Sequence, residues 1–349
     1  MTELTRRLGI ELPILQAPMA GVQGSALAVA VSQAGGLGAL PCAMISLDTL
    51  RQELAAIRAQ TSRPINVNFF CHTPPTPDAQ KEAAWREILS SYYAEFGIDP
   101  DSIPAGPGRA PFSAEAADVL EEFRPEVVSF HFGLPVPDLL ARVRRWGAIV
   151  LSSATTVEEA LWLEAHGADA IIAQGAEAGG HRGLFLTDDL NTQISTLALV
   201  PQLVQAVKLP VIAAGGIADS KGVAAALALG ASAVQVGTAY LLCPEATTSA
   251  VHRAALKSEA ARVTAITNLF TGRPARGIVN RYIRELGPMN ANVPAFPLAT
   301  SAITPLRTRA EAQGSGDFSP LWAGQNTTGC RETPAGLLTQ ELAHEIGRS

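Results

Sequence analysis

Eight short apolar runs recur along this chain, most of them followed by a helical pattern: Ile14–Ala17, Gly38–Pro41, Ile65–Phe70, Val127–Phe132, Ala148–Ser152, Ala170–Gln174, Val211–Ala214 and Ala233–Gly237. Strands that alternate with helices form a parallel sheet, because each crossover returns the chain to the same end. Eight is the strand count of a (β/α)8 barrel. The helices between the runs carry their own punctuation. Thr156–His166 has Thr155 or Thr156 as N-cap, Glu158 and Glu159 in the first turn and Gly167 as its stop. Ser220–Leu229 repeats the pattern, with Gly230 as its stop. A chain of 349 residues, 47% of them hydrophobic, suits a single α/β barrel carrying a small, mostly helical inserted lobe.

Two segments break the rhythm. Residues 72–125 separate the third and fourth strands and contain Pro74, Pro75, Pro77, a helical stretch around Lys81–Phe96 and the loop Ala105-Gly106-Pro107-Gly108. This insertion follows a strand, so it belongs on the barrel's C-terminal face. Residues 246–336 form the lobe. Its first half reads as helix (Thr247–Leu286) interrupted by Thr271–Gly277, and its second half as loop. The barrel then spans 1–245, and 337–349 returns to it as the last helix.

The run Val127–Gly133 carries a histidine. Period-two alternation puts Val127, Ser129 and His131 on one face and Val128, Phe130 and Phe132 on the other, which reads as packed on helices. A histidine at the C-terminal end of a barrel strand sits where such folds place catalytic groups. The seventh strand ends in Gly215-Gly216 and the eighth in Gln235-Val236-Gly237-Thr238, a pair of turns that suits phosphate binding by backbone N–H groups. Asn68 and Gln174 lie nearer the C-terminal ends of their strands and offer amides to a flat heteroaromatic ring, whereas Asn66 lies deeper and reads as satisfied within the barrel. The loop Gly175–Gly183 can wrap a ligand through Gly179 and Gly180 and present His181 and Arg182 to it. Gly35-Gly36-Leu37-Gly38 precedes a strand and reads as a structural turn. His72 fits a pocket wall or a turn equally, His166 a helix terminus, and His252 and His344 helix surfaces.

Several classes are disfavoured. A net charge of −6 argues against nucleic-acid and anionic-membrane surfaces. Four dispersed cysteines, Cys42, Cys71, Cys243 and Cys330, form no C-x-x-C pair and fit a reducing cytoplasm. No His/Asp/Glu group has metal-ligand spacing, and there is no G-x-G-x-x-G, Walker A or G-x-S-x-G motif. No stretch near the N-terminus reads as a secretory signal or a membrane span.

Gln16-Ala17-Pro18-Met19, Asn68–His72, Ser129–Gly133, Gln174–Gly183 and Gly272–Gly277 together resemble the class I nitronate monooxygenases, formerly 2-nitropropane dioxygenases, over nearly the whole chain. The resemblance implies a TIM barrel holding FMN at the strand C-termini. It implies oxidation of alkyl nitronates by O2 to a carbonyl compound and nitrite, with propionate-3-nitronate, a natural toxin, as a plausible substrate. FMN contacts then fall at Met19, Asn68, Gln174, Gly179, Gly216, Gln235, Val236, Gly237 and Thr238, and the catalytic histidine at His131. That histidine would donate to the nitro oxygens, or take the α-proton of a neutral nitroalkane, with His181 or Arg182 adding positive field. The substrates would be a small nitronate and O2, and the protein a cytoplasmic monomer or homodimer. Bacterial members shape the pocket with several tyrosines; this chain has Tyr92, Tyr93, Tyr240 and Tyr282 and none between 94 and 239, which leaves the pocket wall open. The alternatives are an FMN-dependent NAD(P)H reductase of the enoyl-thioester or quinone type, a non-catalytic flavin-binding barrel, and a phosphosugar isomerase or lyase.

Overall fold

A computed structural model describes residues 2–104 and 109–346, so the expected loop Ala105–Gly108 lies outside the described residues. Its strands run β1 (Ile14–Gln16), β2 (Gly38–Pro41), β3 (Ile65–Phe70), β4 (Val127–His131), β5 (Ile149–Ala154), β6 (Ala170–Gln174), a two-residue β7 (Gly180–His181), β8 (Val211–Ala214) and β9 (Ala233–Val236). All except β7 form one parallel sheet in the order β1-β9-β8-β6-β5-β4-β3-β2. The ends meet where Gln16 N–H donates to Leu37 O and Leu37 N–H to Ile14 O, both at 2.9 Å. Eight strands therefore close into a barrel.

Alternation along each strand sorts the residues. Val128 and Phe130 of β4 and Val67 and Phe69 of β3 point outward and pack with Leu120 and Val143 of the surrounding helices. Burying each such side chain is worth about 1.5–3 kcal/mol. Inward residues Leu15, Val127, Leu151, Ile172 and Ile212 fill the lower barrel, and the helix Glu3–Leu8 plugs it with Leu4 and Leu8. Toward the C-terminal ends the inward residues turn polar: Asn68, His131, Ser153, Gln174 and Gln235. The barrel is thus dry at its base and polar at its mouth.

The Gly35–Gly38 turn is structural. Gly35 has φ +93°, and a Cβ on Gly38 would lie 1.9 Å from Ala28 O. The helix Ala335–Leu342 packs Ala335, Leu338 and Leu342 with Leu27 and Val31, completing the helical ring.

The lobe departs from the helical reading of Thr247–Leu286. Helices there are short, Ala250–Leu256 and Arg281–Leu286, and between them run β10 (Thr264–Thr267) and β11 (Ala275–Ile278), paired antiparallel. β11 also pairs with β7, so the glycine loop after β6 is the third strand of this small sheet. The supposed loop half contains a thirteen-residue helix, Thr300–Ala312. The two interruptions also share one core: Trp85, Leu89, Tyr92 and Tyr93 of the first pack with Leu269, Phe270, Tyr282 and Phe318 of the second. Neither could bury these side chains alone.

Gly38→Ala forces a methyl group into a backbone carbonyl and is expected to destabilise the protein by about 1–3 kcal/mol or more in urea denaturation. Gly222→Ala, in a helix where a Cβ meets nothing closer than 3.5 Å, is the control and is expected to be neutral or stabilising.

Candidate active site

One cavity of about 270 Å³ opens at the barrel mouth. It extends from the turns after β8 and β9, past the polar ends of β3 to β6, to a wall supplied by the lobe.

The glycine turns make one end. Gly215 and Gly216 have φ +120° and +73°, and a Cβ on Gly215 would lie 2.9 Å from Thr196 Oγ1 and 3.0 Å from Ala178 N. Such backbone is open to glycine alone and exposes N–H groups to a ligand. At the helix beyond, the Asp219 side chain accepts from Gly222 N–H at 2.8 Å. After β9 the 3₁₀ turn Thr238–Leu242 starts at Gly237 with no side-chain cap. Two residues that sequence reasoning missed close this end. Gly324 N–H donates to Thr238 Oγ1 at 2.9 Å, and Asn326 Nδ2 donates to Gly216 O at 3.0 Å. Their segment is remote in sequence and carries no phosphate-binding pattern.

His131 lies at the centre. Its Nε2 is 3.1 Å from His181 O and its Nδ1 3.1 Å from Ser153 Oγ. A carbonyl cannot donate, so Nε2 carries the hydrogen and Nδ1 accepts from the serine hydroxyl. Burial, opposed by the bond to His181 O and aided by Arg273 and Arg182, pushes His131 down to about 4. It is neutral at physiological pH. His181 also lines the cavity, with Nε2 2.9 Å from Thr271 Oγ1, and burial together with Arg109 holds it well below the usual histidine range.

The amides divide. Gln174 Nε2 donates to His181 O at 2.9 Å and its Oε1 accepts from Gly183 N–H at 2.7 Å, so both ends hold the loop. Asn68 Nδ2 donates to Ser129 Oγ at 2.9 Å. Gln235 Oε1 is buried with no hydrogen-bonding partner, and so is Asn66 Oδ1, which was expected to be satisfied within the barrel. A buried acceptor left open is costly unless a ligand donates to it. Met19 lines the cavity while its N–H donates to Gln23 Oε1 at 2.9 Å.

Several expectations are corrected. Arg182 does not face the cavity: it is fully buried and donates to Gly175 O and Gln174 O at 2.8 Å and to Gln193 Oε1 at 2.9 Å. Those carbonyls end β6, and the guanidinium satisfies them. Val236 points outward into the helix layer, and its carbonyl accepts from Ala17 N–H. Phe132 leaves the outer face, since β4 stops at His131 and Phe132 takes φ +70°. That conformation is strained for a bulky residue and turns the ring into a cluster with Phe70 and Phe296 over the mouth. His252 is not on a surface: it is buried in the cavity wall with Nε2 unpartnered. His72 is buried against Phe296 with both ring nitrogens unpartnered. No tyrosine lines the cavity among the described residues; the wall is Phe70, Trp322, Met44 and Arg109. Arg109 was not foreseen, because nothing in its local sequence marks it.

Residues 1–345 match the family described as nitronate monooxygenase. A nitronate monooxygenase of Pseudomonas aeruginosa is 45% identical over 351 residues, covering 98% of both chains. The chain belongs to the nitronate monooxygenase family. The crystal structure of a nitroalkane oxidase from Streptomyces ansochromogenes is 41% identical with a TM-score of 0.88, covering 99% of this chain and 98% of that one. FabK from Thermotoga maritima is 29% identical with a TM-score of 0.76, covering 100% and 96%. The family is flavin-dependent, and the cavity fits a flavin nucleotide: a glycine cradle that a Cβ would fill at one end, and an open Gln235 acceptor among its lining residues. No helix among the described residues is long and apolar enough to cross a membrane.

Burial pushes His131 and His252 down to about 4 and lowers His72 and His181, from an ordinary 6.5. The unfolded chain therefore binds these protons at a higher pH than the fold does, and stability rises with pH across the window from about 4 to 6.5. His131 and His252 each contribute up to about 1.4 kcal/mol per pH unit there. The thermal midpoint is expected to fall steeply as pH drops from 6.5 to 4, and less steeply in His252→Asn; equal slopes would remove His252 from the effect.

Proposed function

We propose that the protein oxidises alkyl nitronates with O2 to a carbonyl compound and nitrite, using FMN. The observation that carries this reading is the placement of His131, neutral and held by Ser153 and His181 O, in the wall of a cavity whose far end is a glycine cradle. The cradle suits the single phosphate of a mononucleotide. Met19, Asn68, Gln174, Gly179, Gly180, Gly215, Gly216, Gln235, Gly237 and Thr238 are the residues to which we assign the cofactor, with Val236 contributing backbone alone. Bound there, the flavin would supply the electron-accepting ring.

The chain's own residues favour an anionic substrate. A nitronate has already lost its α-proton, so the site needs no strong base. His131 with a pKa of about 4 is a weak one, and its single N–H is engaged by His181 O. Its role is to present a neutral polar face beside the reacting carbon; any proton that a neutral nitroalkane gives up would pass to Ser153 Oγ as that hydroxyl hands its own proton to Nδ1. Phe70 gives the cavity an apolar wall and is backed by Phe132 and Phe296. We assign propionate-3-nitronate as the physiological substrate and detoxification in the cytoplasm as the role, by a monomer or homodimer whose barrel spans 1–245 and whose lobe spans 246–336. The NAD(P)H reductase reading is weaker, because the family match and the relative at 45% identity both bear the nitronate name.

Oxygen uptake with ethylnitronate, matched by nitrite release, tests the reaction. Bleaching by NADH in the absence of O2, without nitronate turnover, would favour the reductase. His131→Asn is expected to keep its flavin and lose nitronate turnover by about two orders of magnitude. Unchanged turnover in a yellow His131→Asn protein would remove His131 from the mechanism.

A further inference from the structure

The cavity holds a cation that the histidines cannot supply. Arg109 lies in its wall, half-buried, where the insertion returns toward the helix Ala114–Phe123. Its guanidinium carbon is 5.7 Å from the centre of the Phe296 ring, and that ring is 5.4 Å from His181 and 6.2 Å from Phe70. Phe70 in turn lies 5.9 Å from His131. The guanidinium therefore stands one ring away from His181 and two from His131.

Its partners are few. Nη1 donates to Thr300 Oγ1 at 3.2 Å, and no carboxylate pairs with it among the described residues. The other arginines near the mouth are engaged by protein groups, although Arg273 Nε keeps no partner. Arg307 pairs with Glu311 at 2.9 Å, Arg182 clasps carbonyls at the end of β6, and Arg273 stacks on Phe132 and donates to Leu184 O. Burial and the neighbouring Arg307 push Arg109 down to about 10, which leaves it charged at neutral pH with nothing opposite. A half-buried guanidinium with free donors is stabilised by an anion, and its planar fork matches two oxygens in one plane.

We propose that Arg109 receives the two oxygens of the substrate's nitronate group and so selects the ionised nitronate over the neutral nitroalkane. This rests on the oxidation reading above, and the test separates the two. Purified flavin-loaded wild type, Arg109→Met, Arg109→Gln and Arg109→Lys are compared by KM and kcat for ethylnitronate, which bears one anionic group, and by calorimetric affinity for nitrite. Arg109→Met is expected to raise KM and weaken nitrite about tenfold or more, with a much smaller change in kcat, and Arg109→Lys to recover part of the loss. Arg109→Gln keeps a donor for Thr300 without the charge and is expected to behave as Arg109→Met does; it is decisive if the methionine variant loses its flavin. An unchanged KM and nitrite affinity in a flavin-loaded variant overturns the proposal and leaves the oxidation reading intact. A wild type inert toward ethylnitronate, with nitrite binding that still depends on Arg109, overturns the oxidation reading and leaves the anion receptor.

Discussion

The carbonyl of His181 organises the mouth of this barrel. It accepts from His131 Nε2 at 3.1 Å and from Gln174 Nε2 at 2.9 Å. The same two-residue strand pairs with β11 of the lobe. One oxygen thus fixes the tautomer of the central imidazole and the position of the glycine loop, while the strand that carries it seats the lobe on the barrel. The surrounding bonds serve it: Arg182 ties the end of β6, and Gly183 N–H returns to Gln174 Oε1. Buried polar networks of this kind hold position well only when every member is satisfied.

The electrostatics follow from burial. Enclosure keeps His72, His131, His181 and His252 uncharged, while Arg109 stays charged in the cavity wall. The mouth therefore offers neutral rings beside the reacting centre and positive charge at its rim. Backbone N–H groups after β8 and β9 favour an anion at the opposite end. Such a cavity is complementary to a phosphorylated cofactor and an anionic substrate held together.

The barrel was legible in the sequence because period-two alternation and glycine stops act locally. β2, β3, β6 and β8 have the expected bounds, and β1, β4, β5 and β9 differ at their ends by one or two residues. His131 was legible for the same reason, as the polar end of an inward face. The lobe was not. β10 and β11 are four residues each, and β11 carries an Arg and a Gly, too short and too mixed to show a period. The pairing of β11 with Gly180–His181 is a long-range event that no local pattern announces. Arg182 and Arg109 show the same limit in opposite directions. A charged residue in a glycine loop looked like a ligand contact and closes a strand end, whereas one beside Pro-Gly sequence drew no reading and lines the cavity. Which way an arginine points is decided by the carbonyls and carboxylates it meets, and those come from other parts of the chain.

The account depends on a flavin mononucleotide seated between the glycine cradle and His131. The most direct measurement is the visible absorption of the purified protein, followed by heat release and identification of its chromophore. A yellow protein yielding about one FMN per chain is expected. A protein that stays colourless after incubation with FMN, or that releases a different chromophore, would contradict the account at its centre.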